Sequence, residues 1–171
     1  MNIALIYSTV DGQTKHICEV MATHMTQAQV TVLSLEQVTE DKLSQYDKVM
    51  IGASIRYGKY RPAVFEFIGQ HHEWLTQTQS GFFSVNVVAR KPEKNTPKTN
   101  PYMKNFLAQS PWNPAVQGVF AGKIEYPKYG FFDRTMIRFI MWITKGPTDT
   151  RGTYEFTDWQ KVERFAKAFA D

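Results

Sequence analysis

With 171 residues and a 43% hydrophobic content, the chain is long enough to bury one sizeable core, so a single globular domain over residues 1–171 is expected. A lone cysteine, Cys18, excludes a disulfide framework, and the four histidines share no metal-ligand spacing with it, which argues against a structural zinc site. The formal charge of +4 suits nucleic acid, an anionic membrane surface or an acidic substrate without choosing among them.

Met1 leads directly into apolar residues, and no apolar run reaches the length of a membrane span, so neither a secretory signal nor a transmembrane helix is expected. Residues 3–8 read as a buried strand, followed by a hydroxyl- and glycine-containing loop, Ser8 to Thr14. A helix then starts near Lys15 and runs to about residue 26, with Ile17, Val20, Met21 and Met25 at helical spacing. Val30–Leu33 and Tyr46–Gly52 supply two more strands, separated by a polar stretch with room for a short helical turn. Pro62 suits the first turn of a helix presenting Val64, Phe65, Phe67 and Ile68, which His71-His72 is expected to close. Gly81–Val87 is a fourth strand, and a Pro-rich loop from Arg90 to Pro101 leads to a helix carrying Tyr102, Phe106 and Leu107. Val116–Gly122 gives the fifth strand and Asp158–Ala170 a final amphipathic helix. Strands alternating with helices imply a parallel sheet covered on both faces.

Sheets of this kind bind ligands beyond the carboxyl ends of their strands, where the strand order reverses. Three loops follow such strand ends. The first, Ser8 to Thr14, offers Thr9 and Thr14 hydroxyls, backbone N–H groups at a helix N-terminus, and Gly12 for close backbone approach. The second contains Ala53, Ser54, Ile55, Arg56 and Tyr57, and the third Ser84, Val85, Asn86, Val87 and Val88. None of them carries the GxGxxG fingerprint, which argues against a Rossmann-type NAD site.

The run Thr9-Val10-Asp11-Gly12-Gln13-Thr14 after a first strand resembles the flavodoxin phosphate loop, T/S-x-T-G-x-T. Asp11 stands where flavodoxins usually have Thr. A carboxylate facing a phosphate dianion is unfavourable, so Asp11 is expected to turn back onto loop N–H groups. Val87-Val88-Ala89 replaces the Tyr that stacks on the flavin in many flavodoxins. The segments Asp11–Thr14, Ile51–Gly58, Ser84–Lys94 and Thr148–Arg151 narrow the resemblance to bacterial quinone-dependent protoporphyrinogen IX dehydrogenases, over nearly the whole chain.

That resemblance implies an α/β flavodoxin-like three-layer sandwich with a five-stranded parallel sheet and an insertion, residues 125–147, between the fifth strand and the last helix. It implies noncovalent FMN held by Thr9, Asp11, Gly12, Gln13 and Thr14, by Ala53 to Tyr57 and by Ser84 to Val88. It further implies oxidation of protoporphyrinogen IX to protoporphyrin IX in heme biosynthesis, with electrons passed to menaquinone or ubiquinone. The expected location is peripheral, on the cytoplasmic face of the bacterial inner membrane.

Arg56, Tyr57, Lys59, Arg61, Arg90 and Lys91 lie in or beside the proposed flavin loops, where they could hold substrate propionates through charge-assisted hydrogen bonds. No His, Glu or Asp stands out as a general base. In the insertion, a helix over 131–145 places Arg134, Arg138 and Lys145 in one narrow sector, with Trp142 and Met141 flanking it. Met136, Phe139, Ile140 and Ile143 form the opposite, apolar face. About 15 helical residues extend roughly 22 Å, too short to span hydrocarbon but suited to an interfacial position. Arg134, Arg138, Phe139 and Trp142 are therefore the expected membrane or quinone contacts, although the same face could pack on the domain or on a second copy in a homo-oligomer.

Other functions are less consistent with the residues. A flavodoxin-type electron carrier is typically acidic, whereas this chain is basic. Nucleic acid is not expected as a partner, because the basic residues of the insertion alternate with a large apolar face. An NAD(P)H-dependent quinone reductase lacks support from any nicotinamide fingerprint.

Overall fold

The computed structural model describes residues 1–171. Strands β1 (Asn2–Ser8), β2 (Gln29–Ser34), β3 (Lys48–Ser54), β4 (Gln79–Val85) and β5 (Val116–Phe120) form one five-stranded sheet in the order β2-β1-β3-β4-β5. Every pairing in it is parallel. The helices α1 (Gln13–His24), α2 (Glu40–Leu43), α3 (Pro62–Gln77), α4 (Pro101–Gln109), α5 (Phe131–Ile143) and α6 (Trp159–Ala170) complete the chain. The order reverses between β1 and β3, and the ends of β1, β3 and β4 open there together.

The central strands read as continuous apolar runs because both faces are covered. Within β1 the side chains alternate. Ile3 and Leu5 pack with Ile17, Cys18 and Met21 of α1 and Val162, Ala166 and Phe169 of α6. Ala4 and Ile6 pack with Val64, Phe67 and Ile68 of α3 and with Met103 and Phe106 of α4. This makes the three-layer sandwich expected from the sequence. Gly52 on β3 is required by packing, since a Cβ there would lie 2.1 Å from Cζ of Phe83 on the neighbouring strand.

Helix starts follow local chemistry. Pro62 and Pro101 occupy first-turn positions of α3 and α4, the Asn100 side chain caps α4 by accepting from Tyr102 N and Met103 N, and Asp158 caps α6 by accepting from Lys161 N. His71-His72 does not close its helix: α3 kinks at His71 (φ −119°, ψ 16°) and continues to Gln77, because Leu75 is fully buried and Trp74 packs on the core.

The insertion expected at 125–147 sits within a longer element that starts at Lys123 and ends at Glu155. Strands β6 (Lys123–Glu125) and β7 (Thr153–Glu155) pair antiparallel, and α5 lies between them in sequence. Ile124, Tyr126, Ile137 and Met141 form its buried cluster. Of the apolar face expected at Met136, Phe139, Ile140 and Ile143, Met136, Phe139 and Ile143 are exposed and Ile140 borders the cleft, while Ile137 and Met141, the latter expected beside the basic sector, face inward. Lys145 is also outside the helix, which stops at Ile143. Lys145 adopts φ 59°, and Gly146 N donates to Met141 O while Lys145 N donates to Trp142 O, a Schellman closure.

Candidate functional site

At the end of β1 the chain turns through Thr9 to Gly12, with Gly12 at φ 95°. The Gly12 N–H donates to Thr9 Oγ1 at 2.9 Å, which shapes the loop. The N–H groups of the first turn of α1 have no intrahelical acceptors, as at any helix start, and no side chain caps them. Thr14, in that first turn, is fully buried, yet its Oγ1 has no hydrogen-bond partner. An ideal Cβ at Gly12 would meet nothing within 4 Å, so the backbone there borders open space. Converging donors without an acceptor, beside an accessible backbone, fit the phosphate of FMN.

Asp11 does not turn back onto loop N–H groups. Arg56 Nη2 donates to its Oδ1 and Oδ2 at 2.6 and 2.5 Å across the β1–β3 boundary. The guanidinium reaches the loop from a neighbouring strand end, so a charged partner replaces the local turn. Burial pushes the Asp11 carboxyl above the usual aspartate range despite the pull of Arg56, and Glu125 and Asp133 push in the same direction.

From this loop two cavities run together. The first is bordered by Thr9, Asp11, Gln13, Ser54, Ile55, Arg56, Val85, Asn86 and Val87. The second, a cleft partly open to solvent, shares Asp11, Ile55, Arg56, Asn86 and Val87 and continues to Tyr57, Val88, Tyr102 and Tyr129. Ile137, Ile140 and Met141 of α5 form its roof. Thr14, Ala53 and Ser84 are fully buried beneath these surfaces rather than lining them. The Gln13 side chain is turned away, donating to Glu155 Oε1 and Thr157 Oγ1 at 3.2 and 3.0 Å.

The third loop is held by a buried amide network. Asn86 Nδ2 donates to Ser84 Oγ at 2.9 Å, and Asn100 Nδ2 donates to Asn86 Oδ1 at 3.0 Å. Asn86 Oδ1 also accepts from Ala89 N at 3.0 Å, and Tyr60 donates to Ser84 Oγ at 2.8 Å. Each buried amide is satisfied, which fixes Val87 and Val88 against the cleft.

The second loop closes as a tight hairpin: Arg56 and Lys59 exchange backbone hydrogen bonds at 2.9 and 3.1 Å, with Tyr57 at φ 51° and Gly58 at φ 76° between them. Positive φ at both central positions is the twist that a two-residue hairpin demands. Tyr57 donates its hydroxyl hydrogen bond to Asp133 of α5. At the other end of α5, Arg90 Nη2 donates to Thr144 O at 2.8 Å and Nη1 to Val87 O at 2.9 Å. These contacts, with Tyr126 donating to Pro147 O at 2.6 Å, settle which side of α5 faces the cleft.

The six expected propionate contacts therefore separate. Arg56 is paired with Asp11. Arg61 donates to Glu36 Oε1 at 3.0 Å and to Ser8 Oγ at 3.2 Å, and Arg90 is spent on carbonyls, so both guanidinium groups serve neighbouring loops instead of the cleft. Tyr57 lines the cleft, while Lys59 and Lys91 make no ion pair and stay off its lining. Arg134 and Arg138 have no acidic partner, and Phe139 and Trp142 are 54% and 70% exposed. Sequence reasoning missed Tyr102, Lys123, Tyr129, Asp133 and the inner face of α5. The 76 positions between Tyr57 and Asp133 leave no local signal for their contact.

Comparison with known proteins agrees with this geometry. The flavodoxin domain family matches residues 4–151. A protoporphyrinogen IX dehydrogenase (quinone) of Leishmania major is 46% identical over 97% of this chain and 73% of its own length. The protein of the same name from Escherichia coli (strain K12) is 44% identical over 99% of this chain and 95% of its own. Among solved structures, the two-electron reduced flavodoxin of Megasphaera elsdenii superposes with a TM-score of 0.60 at 11% identity, covering 98% of both chains. Oxidised flavodoxin 1 of Bacillus cereus gives 0.56 at 13% identity, covering 99% of this chain and 97% of that one.

Proposed function

Because this chain belongs to the flavodoxin-domain family and, within it, to the quinone-type protoporphyrinogen IX dehydrogenases, we propose that it oxidises protoporphyrinogen IX to protoporphyrin IX with FMN and passes the electrons to a respiratory quinone. The observation that carries this reading is identity of 44–46% over 97–99% of the chain, which runs through the insertion that roofs the cleft. FMN, when bound, supplies the two-electron acceptor for three successive two-electron removals from the non-conjugated macrocycle.

The chain's own residues bind and orient. Loop N–H groups hold the phosphate above the buried, unpartnered Thr14 hydroxyl, and the Asn86–Asn100 network presents Val87 and Val88 to the ring system. Ile137, Ile140 and Met141 exclude water from above. Lys59 and Lys91, the unpaired amines on the loops beside the cleft, meet the substrate's propionates at its mouth.

The same reading places the protein at an anionic membrane surface, peripherally, on the cytoplasmic face of a bacterial inner membrane. Phe131, Phe132, Phe139 and Trp142 are 79%, 68%, 54% and 70% exposed. On the helix itself Arg134 and Arg138 border this apolar sector, as an interfacial helix requires. No helix is long and apolar enough to cross a membrane.

The test is anaerobic reduction of the FMN-loaded protein by protoporphyrinogen IX, followed on the visible flavin band and again after addition of a quinone. Bleaching by the porphyrinogen and recovery with quinone are expected. Bleaching by NAD(P)H alone would make the protein a quinone reductase instead. Sedimentation with phosphatidylglycerol vesicles tests the surface: binding that Trp142→Ser weakens is expected. A self-associating protein indifferent to vesicles would assign the face to a homo-oligomer.

A further inference from the structure

Two buried side-chain polar atoms have no hydrogen-bond partner, Thr14 Oγ1 in the first turn of α1 and Nη1 of Arg56, a residue that borders the cleft. The first lies beneath the loop assigned to the phosphate. A guanidinium N–H buried without an acceptor is unfavourable, so the second marks a place where an acceptor arrives with a ligand.

The chemistry around Arg56 decides what kind of acceptor. Its Nη2 already holds both oxygens of Asp11, and its side chain is only 16% exposed. A substrate carboxylate brought to Nη1 would share that guanidinium with Asp11, like charge beside like charge, with Asp133 also close enough to act on Asp11. A neutral carbonyl oxygen meets no such opposition, since one hydrogen bond satisfies it. The surroundings also suit a flat conjugated ring. The Tyr129 and Tyr57 rings lie 5.2 and 5.6 Å from the guanidinium carbon, and Ile55, Val87 and Val88 supply apolar walls.

We propose that Arg56 is a hydrogen-bond donor to a ring carbonyl of a flat conjugated ligand in this cleft, not an anchor for propionate, and that Asp11 is its positioning residue. The assignment rests on the FMN-and-quinone reading, which supplies two such rings, the isoalloxazine and the quinone. It also explains why the phosphate loop tolerates a carboxylate: Asp11 is turned away from the loop amides and holds the guanidinium in the cleft.

The experiment uses Arg56→Gln combined with Asp11→Asn, so that neither partner is left as a lone buried charge, beside Arg56→Lys, Asp11→Asn and Asp11→Glu. Far-UV circular dichroism verifies folding. FMN affinity is read by fluorescence quenching on apo-protein, the flavin midpoint potential by dye equilibration, and kcat and KM separately for quinone and porphyrinogen. If the carbonyl is the flavin's, the double variant weakens FMN binding by about tenfold and lowers the midpoint potential. If it is the quinone's, FMN affinity and potential hold while the quinone KM rises by about tenfold at unchanged kcat. Either result supports the assignment, with Arg56→Lys intermediate, Asp11→Asn showing a smaller change of the same kind, and Asp11→Glu restoring part of it.

A rise in the porphyrinogen KM with FMN and quinone parameters unchanged would return Arg56 to the propionate role and overturn the proposal. Tighter FMN binding in Asp11→Asn with the potential and quinone KM unmoved would remove Asp11 as a positioning residue. FMN affinity, midpoint potential and quinone KM all indifferent to every variant overturn this assignment alone. A wild-type protein that binds no FMN overturns the function together with it.

Discussion

The sandwich and the insertion place their apolar side chains by different rules. In α1 and α6 the apolar residues occupy one side, and that side is covered: Ile17, Cys18 and Met21 meet Val162, Ala166 and Phe169 across the sheet's first face. Helix α5 carries apolar side chains almost all round. Ile137 and Met141 are buried, while Phe131, Phe132, Phe139, Trp142 and Ile143 stand in solvent. A helix in the sandwich needs one apolar stripe because it has one neighbour. A helix with two apolar sides has a second neighbour to meet.

The largest expected effect lies in the sandwich. The Phe82 ring stacks on that of Phe106 with centroids 3.7 Å apart, and both are fully buried. Phe82→Ala should cost about 3–5 kcal/mol in urea denaturation, through lost transfer free energy and the cavity left behind. A smaller cost would mean that the two aromatic layers can collapse onto each other, and the sandwich would be less rigid than its packing suggests.

Within the insertion the contrast can be broken at a single helix. Ile137→Ala should cost about 2 kcal/mol, whereas Trp142→Ser should change stability by no more than about 0.5 kcal/mol. Hydrogen exchange at the amides of α5 is the direct measurement. Comparable losses from both would show that the exposed side is packed in solution, and the two-neighbour view of α5 would fail.

These elements also show what was legible in the sequence. The central strands follow from short apolar runs and α1, α3, α4 and α6 from helical spacing, because each has a fixed place against the core. The three ligand loops were found because strand order alone brings the ends of β1, β3 and β4 together. The roof of the cleft was not found. When both sides of a helix are apolar, periodicity cannot choose which is inner; Tyr57–Asp133 and Arg90–Thr144 choose it, and both pairs are distant in sequence. The pairing of Asp11 with Arg56 was hidden for the same reason, 45 positions apart. Strands β6 and β7, three residues each, are too short to show a period.

A third prediction concerns the β1–α1 loop, where the sandwich buries a hydroxyl without a partner. Thr14→Val removes the buried, unpartnered hydroxyl while keeping its shape. Apo-protein stability should hold or rise slightly, and the FMN dissociation constant should rise by about tenfold. Loss of stability without loss of FMN affinity would make Thr14 an ordinary core residue and leave the phosphate to the backbone alone.

The smallest expected effect tests whether the two regions unfold as one. Burial tends to raise the Glu125 carboxyl, but hydrogen bonds from Lys123 and Lys128, both at 3.0 Å, outweigh it and hold the group below the usual glutamate range. A carboxyl lowered in the folded state contributes stability above its unfolded pKa and loses it as pH falls through the folded value. Glu125 ends β6, so acid should loosen the β6–β7 pair by about 1 kcal/mol or less, discounted because Lys128 is exposed. Asp11 works in the opposite sense. Its raised carboxyl favours the folded state below the usual aspartate range, and that contribution fades as pH rises through the folded value. Acid therefore removes support from the insertion while relieving the phosphate loop. Hydrogen exchange across the acidic range should show amides of β6 and β7 opening before those of β1 and β3, and Glu125→Gln should abolish that early step. If both sets of amides open over the same pH range in the wild-type protein, the insertion and the sandwich are one cooperative unit, and α5 is fixed by the core rather than by its own small cluster.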